Sequence, residues 1–99
     1  MQTSITGRHV TVTENVKHHV NDKLERCLGI FRGIEMIRVV LDKEKHLHVA
    51  EAVVQGAHHL HVVAKEKSEN LYDAIDRAIE HVERQMHKER DRAMEHHHK

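Results

Sequence analysis

The 99-residue sequence contains no proline, no tryptophan, one cysteine, four glycines, one phenylalanine and one tyrosine. The scarcity of proline and glycine argues against disorder and favours continuous helices and strands. A single cysteine excludes an intramolecular disulfide and a cysteine-rich zinc motif. With so few aromatic rings, a base-stacking platform of the RRM or OB kind is not expected. No apolar run approaches the roughly 18 residues of a membrane span, so a cytoplasmic location is the default expectation.

Neither sign of charge is in excess. Lysine plus arginine is 16 and aspartate plus glutamate is 16, so the formal net charge is zero. This balance excludes a uniformly basic nucleic-acid clamp, and any anion-binding surface has to come from charges that folding sorts onto one side. Thirteen histidines are the unusual feature. Because histidine titrates near neutrality, the net charge rises as the pH falls toward about 6.

Hydrophobic periodicity predicts six elements in the order β-α-β-β-β-α. In chain order they are a strand over 2–8, a helix capped by Thr13, strands over 34–42, 48–56 and 59–67, and a helix capped by Ser68 that runs to 94. The first β-α-β unit predicts a parallel strand pair, and the short later loops predict an antiparallel meander. The expected fold class is α+β, a two-layer sandwich in which both helices cover one face of a four-stranded sheet.

The charges of the final helix are sorted by sign. At about 100° per residue, its cations fall in one band roughly 80° wide. The members of this cationic band are Arg77, His81, Arg84, Lys88 and Arg92. An acidic band adjoins it, formed by Asp73, Asp76, Glu80, Glu83 and Asp91. The cationic band spans about 20 Å, a scale that suits a row of phosphates. The alternative is an ordinary solvated face, although pure solubility favours interspersed signs.

Cations also flank the apolar face of the first helix. They are His19, Lys23 and Arg26, and Arg8 ends the strand that precedes this helix. If the helices pack side by side, these cations line one surface with the cationic band. The alternative is that they are ordinary surface side chains whose aliphatic stems cover the edge of the core.

Histidine pairs at short spacing suggest adventitious capture of Zn²⁺, Ni²⁺ or Co²⁺. These pairs are His46 with His48, His59 with His61, and His87 with Asp91 on the final helix. No set of three ligands at a standard spacing is present, so we predict no metal site. The sequence has no glycine-rich phosphate loop, no HExxH and no nucleophile elbow, so we predict no enzyme and no cofactor. Cys27 lies on the apolar face of the first helix and is expected to be a core residue.

The outer face of the predicted sheet is more apolar than a solvated face requires. Its apolar residues are Met36, Val40, Val49, Val53 and Val63. This face indicates a weak homodimer or another protein partner, although scattered exposed valines are common in strands. A histidine-rich metal-binding protein and a sheet-mediated interaction domain therefore stay open as alternatives to nucleic-acid binding.

Three segments carry a family resemblance. The opening MQ, ITG and VTVTE (residues 1–2, 5–7 and 10–14) resemble the start of the ribosome hibernation promoting factor and ribosome-associated inhibitor family. LYDAID at 71–76 resembles the family signature at the start of the final helix. The segment from Arg84-Gln85 through Lys88, Arg90 and Arg92 resembles the family's basic tail.

The resemblance implies a bacterial, non-enzymatic protein of the short form that binds the small ribosomal subunit in stationary phase or stress. Residues 1–95 would be a single ribosome-binding domain, with a histidine-rich tail at 96–99. The domain would occupy the decoding channel of the 30S subunit or the 70S ribosome, over the mRNA and tRNA sites, and so inhibit translation. Such short forms either promote or oppose the pairing of 70S ribosomes into 100S particles. The expected contacts to 16S rRNA are Arg8, from its place before the first helix, with Lys23, Arg26, Arg77, Arg84, Lys88, Arg90 and Arg92 by resemblance.

Overall fold

The computed structural model describes the backbone of residues 2–97 and the side chains of residues 2–91, and this part of the chain forms four strands and two helices. The elements are β1 (Gln2–Gly7), α1 (Glu14–Leu28), β2 (Ile34–Glu44), β3 (Leu47–Gly56), β4 (Leu60–Ser68) and α2 (Leu71–His97). The predicted order β-α-β-β-β-α is confirmed. Helix α2 continues past the expected domain boundary at residue 95, and residues 98–99 of the expected histidine-rich tail lie outside the described residues.

The sheet has the strand order β1-β2-β3-β4, with β1 parallel to β2 and the later pairs antiparallel. One face of the sheet packs against both α1 and α2, which confirms the α+β two-layer sandwich. The predicted core residues of the helices and the inner strand positions form one buried cluster. No helix among residues 2–97 is long and apolar enough to cross a membrane.

The other face of the sheet is less exposed than the sequence predicted. Val49 is buried, and Met36, Val40 and Val53 are half-buried. Val63 is the exception, because β4 is an edge strand and leaves this side chain 40% exposed. The apolar surface available on this face is therefore small and lies toward β4.

The helix caps follow the predicted rule at α1 and depart from it at α2. The Thr13 hydroxyl accepts a hydrogen bond from the Val16 N–H at 3.2 Å, as an N-cap does. Ser68 was expected to cap α2, but this prediction is wrong: the cap is Asn70, whose Oδ1 accepts from the Asp73 N–H at 3.1 Å. Ser68 remains the last residue of β4 and donates its hydroxyl to the Asp73 carboxylate at 2.7 Å.

The β3–β4 turn forces two histidines into the left-handed backbone region. His58 and His59 have φ of 60° and 64°, and the Leu60 N–H donates to the Ala57 carbonyl at 3.2 Å. The turn therefore runs over 57–60, one residue later than the Gly56-Ala57-His58 turn predicted from the sequence. Positive φ at both central positions is the pattern of a type I′ turn, in which Asn-Gly is favoured. Left-handed backbone costs a side-chain-bearing residue about 1–2 kcal/mol.

Replacing His58 with Asn and His59 with Gly should relieve this strain. We expect the double variant to raise the free energy of unfolding by about 1 kcal/mol, because the freedom that glycine adds to the unfolded chain offsets part of the gain. Urea denaturation followed by circular dichroism measures the effect. His61→Asn, on the regular strand β4, is the matched control and should give no such gain. A double variant no more stable than the parent would contradict the assignment of strain to this turn.

Candidate functional site

Helices α1 and α2 lie side by side and run in the same direction. His19 contacts Asp76 and Lys23 contacts Glu80, and the two residues of each contact are 57 positions apart in the sequence. A step of four residues along α1 is therefore accompanied by a step of four residues along α2 in the same direction. We call the row of contacts between the helices the seam. Because Asp76 and Glu80 belong to the acidic band of α2, that band faces α1.

The seam neutralises part of the cationic set predicted from the sequence. The Lys23 ammonium donates to the Glu80 carboxylate at 2.7 Å, and the Lys23 side chain is only 16% exposed. The hydrogen bond and the charge of Glu80 raise the pKa of Lys23 above its ordinary value, against an opposing effect of burial. His19 makes the parallel contact with Asp76 at 2.7 Å and lies edge-on to the Tyr72 ring. In the free protein, Glu80 therefore neutralises the charge of Lys23 and fixes the position of its side chain.

Two further cations pair within their own helices. Arg26 contacts Asp22 and Arg77 contacts Asp73, both at 2.9 Å and both at i,i+4 spacing. All four side chains are more than 40% exposed, so solvent screens these pairs and each is worth well under about 1 kcal/mol. A polyanion can therefore replace the carboxylate partner of such an arginine at a small cost in free energy.

Among the described side chains of the cationic band, Arg84 and Lys88 are the two without an ion pair. Both are exposed and lie one helical turn apart on α2, on the solvent side of the acidic band. Among the described side chains, neither has a carboxylate within ion-pair distance. His81, in the same band, instead contacts Glu66 of β4 at 2.9 Å. The side chain of Arg92 lies outside the described residues.

The structure separates Arg8 and Arg90 from that band. Arg8 follows β1, at the opposite edge of the sheet from β4, and its backbone N–H donates to the Leu41 carbonyl at 2.7 Å. There a hydrogen bond with His9, and to a smaller degree the charge of Arg8, hold the pKa of the Asp42 carboxyl below its ordinary value. Arg90, which lies outside the predicted band, sits over the ring of Phe31 in the segment that follows α1.

Sequence analysis missed a cleft of about 710 Å³ between the end of α1, the β3–β4 turn and α2. Residues that line it include Phe31, Arg32, His59, Leu60, Met86 and Arg90. These residues come from three segments that are far apart in the sequence, so no local sequence pattern predicts the cleft. The one signal in the sequence is the His58-His59 pair, placed where a turn would favour Asn-Gly.

The predicted histidine pairs do not build a metal centre in the described part of the chain. Among the described residues, no three His, Cys, Asp or Glu side chains come together as metal ligands. His46 lies in the β2–β3 turn and not on a strand beside His48, because β2 continues to Glu44. His87 contacts Glu83 at 3.9 Å. Cys27 is buried, as predicted, and burial raises the pKa of its thiol.

The fold is of a class already known from solved structures. The chain resembles a ribosomal subunit interface protein from Coxiella burnetii with a TM-score of 0.85 and 21% identity, over 92% of this chain and 99% of that one, which is a likeness of fold. It resembles the Protein Y N-terminal domain from Thermus thermophilus with a TM-score of 0.76 and 31% identity, over 84% of this chain and 91% of that one.

Residues 3–94 match the family described as Sigma 54 modulation protein / S30EA ribosomal protein, and the chain belongs to this family. A ribosome hibernation promoting factor from Pseudomonas putida is 35% identical over 98 residues, which cover 95% of this chain and 93% of that protein. The Escherichia coli (strain K12) protein of the same name is 33% identical over 97% of this chain and 100% of its own length. These relatives confirm the resemblance inferred from the sequence and the classification as a non-enzymatic protein.

Glu80→Gln tests the seam, because it removes the charge that faces Lys23 and keeps the shape of the side chain. We expect the free energy of unfolding at neutral pH to fall by about 1 kcal/mol, since solvent screens a Glu80 that is 45% exposed. The pKa of Lys23 is raised above 10.5 in the folded protein, so the stabilisation is fully present below that value and is lost as the pH rises through the folded-state pKa. The parent and the variant should therefore converge in strongly alkaline solution.

Denaturation at several pH values and an NMR titration of the Lys23 side chain measure this prediction. Asp22→Asn is the matched control, because it breaks the exposed pair with Arg26 and should change stability by less than about 0.5 kcal/mol. An equal loss in both variants would contradict a special role for the seam.

Proposed function

We propose that this protein is a ribosome hibernation factor that binds 16S rRNA of the small subunit at the decoding channel. There the body of the domain blocks the mRNA and tRNA sites and inhibits translation in stationary phase or stress. It acts in the cytoplasm on the 30S subunit or the 70S ribosome, and residues 1–95 form the ribosome-binding domain. The observation that carries the proposal is the exposed pair Arg84 and Lys88 on α2, which no carboxylate of residues 2–91 neutralises, in a chain whose relatives are named ribosome hibernation promoting factors.

The geometry of α2 supports phosphate binding. Arg84 and Lys88 are about 6 Å apart along the helix axis, and they project to the same side. Arginine binds phosphate through two parallel hydrogen bonds, and lysine adds a compact charge. Since no carboxylate among the described side chains holds either cation, they make the first contacts with a polyanion at no cost in broken ion pairs.

The other proposed contacts join at a second stage. Arg26 and Arg77 exchange their exposed carboxylates for phosphate, while Lys23 requires the loss of its contact with Glu80. Arg8, Arg90 and Arg92 complete the proposed RNA-binding set. Because these contacts release counterions, the affinity for RNA is expected to depend strongly on the salt concentration.

The arrangement of the aromatic residues supports recognition by shape and phosphate. Tyr72 is 38% exposed but holds an edge-on contact with His19 in the seam. Phe31 is half-buried beneath Arg90. Neither ring belongs to a flat, open sheet surface of the kind on which single-stranded RNA stacks.

Charge reversal at Arg84 and Lys88 tests the ribosome-binding surface. We expect Arg84→Glu with Lys88→Glu to weaken binding to purified 30S subunits by about 100-fold, because two attractive phosphate contacts become repulsive. Co-sedimentation with 30S subunits at fixed salt measures the effect. Arg38→Glu with Lys65→Glu is the matched control, since it makes the same change in net charge on the outer face of the sheet. Unchanged binding of the α2 variant would overturn the site assignment.

We also propose a weak homodimer through the outer face of the sheet, centred on Val63 near the β4 edge. The small apolar area there suits a weak, transient contact. Sedimentation equilibrium of the parent and of Val63→Lys at high protein concentration tests it. We expect the substitution to abolish self-association, and a parent that stays monomeric throughout would contradict the homodimer.

A further inference from the structure

The cleft between the end of α1, the β3–β4 turn and α2 has the size and lining of a small-molecule site. Its volume of about 710 Å³ lies within the range of about 300–1,000 Å³ typical of ligand pockets. The apolar part of the lining comes from Phe31, Leu60 and Met86, with Ile30 at the mouth. Ile30 is 65% exposed, so the cleft extends into an open apolar surface.

The charged part of the lining is mainly cationic. Among the described residues that line the cleft are Arg32 and Arg90, the turn histidines His58 and His59, and one carboxylate, Glu89. Arginine side chains at the edge of an apolar floor select a ligand that is both anionic and flat.

Arg90 is held in place as part of this site. Its guanidinium lies over the Phe31 ring, 5.3 Å from the centroid, and contacts the His87 Nδ1 at 3.1 Å. His87 in turn packs edge-on against Phe31 at 4.9 Å. A guanidinium fixed on one side by an aromatic ring offers its other face for stacking, and such planes stack on nucleobases.

We propose that this cleft binds a nucleotide. The base stacks on the Arg90 guanidinium and packs against Leu60 and Met86, and the phosphate binds to Arg32 and the turn histidines. A fatty acid would leave the stacking face of Arg90 unused, and inorganic phosphate would leave the apolar floor unused. The left-handed backbone of His58 and His59 agrees with this role, because residues with strained backbone are concentrated at ligand-binding sites, where their side chains are needed.

The nucleotide has two possible sources, a free nucleotide or one unit of an RNA strand. The cleft shares Arg90 with the proposed RNA-binding set but lies on a different side of α2 from Arg84 and Lys88, because Arg90 and Lys88 are about 160° apart around the helix axis. The inference therefore goes beyond the proposed ribosome binding. A test on the isolated protein, without ribosomes, keeps the failure of one distinct from the failure of the other.

NMR titrations of the isolated full chain with ATP, adenosine, inorganic phosphate and a six-residue oligoadenylate test the proposal. We expect ATP to cause saturable shifts at Phe31, Met86 and residues 57–61, and adenosine or phosphate alone to bind at least about tenfold more weakly. An oligoadenylate that binds at least about tenfold more tightly than ATP identifies an RNA strand as the source. An oligoadenylate that binds equally or less tightly identifies a free nucleotide.

Substitutions in the cleft locate the binding. Arg90→Ala and Arg32→Ala should each weaken ATP binding by about tenfold, the loss expected for one charge-assisted contact. Arg38→Ala, on the outer face of the sheet, is the matched control and should leave ATP affinity unchanged. The double variant His58→Asn with His59→Gly is expected to melt at a higher temperature than the parent and still bind ATP more weakly, so that lost binding is not lost folding.

Three results would overturn the proposal. The first is the absence of saturable shifts with ATP up to about 5 mM, since a weaker interaction has no specificity. The second is a response to phosphate alone that equals the response to ATP, which means an adventitious ion only. The third is an ATP affinity that Arg32→Ala and Arg90→Ala leave unchanged.

Discussion

The contacts between two carboxylates of α2 and the side chains of Lys23 and His19 on α1 decide how charge is arranged on this protein. Both helices pack on one face of the sheet and run in parallel, so one flank of α2 has to face α1 along its length. Asp76 and Glu80 occupy that flank and meet His19 and Lys23 at 2.7 Å. These two carboxylates of α2 therefore make contacts between the helices. The cationic side of α2 is left to face solvent.

This arrangement explains how an electrically neutral chain presents a basic surface. The net charge of zero counts every carboxylate equally, but Glu80 in the seam is already matched by the Lys23 ammonium. The arginines at positions 26 and 77 are held by exposed carboxylates that a phosphate can replace, whereas Arg84 and Lys88 carry their charge outward. Binding to a polyanion by such a surface depends on the local order of charge, and for that reason it is sensitive to salt.

The β3–β4 turn is built from residues that are not the most favourable ones for its backbone conformation. A type I′ turn built from two histidines is less stable than one built from Asn-Gly. Its side chains line the same cleft as Phe31 and Arg90. Just before this turn, Gly56 lets the β3 backbone approach the Gly33 carbonyl, a contact that a Cβ atom would block. A conformational cost is thus concentrated beside this cleft.

The sequence by itself determined the order of elements, the buried stripes of both helices, the Thr13 cap and the division of α2 into apolar, acidic and cationic bands. These features follow from the fixed angular step of a helix and the alternation of a strand, which are local properties. It did not determine that Asn70 rather than Ser68 caps α2, since both residue types accept the same hydrogen bond and the end of β4 decides between them. Only the tertiary structure decided that the acidic band meets α1, because the contacting residues are 57 positions apart in the chain. The same holds for Arg90 and the cleft, whose lining is assembled from three segments that no local periodicity connects.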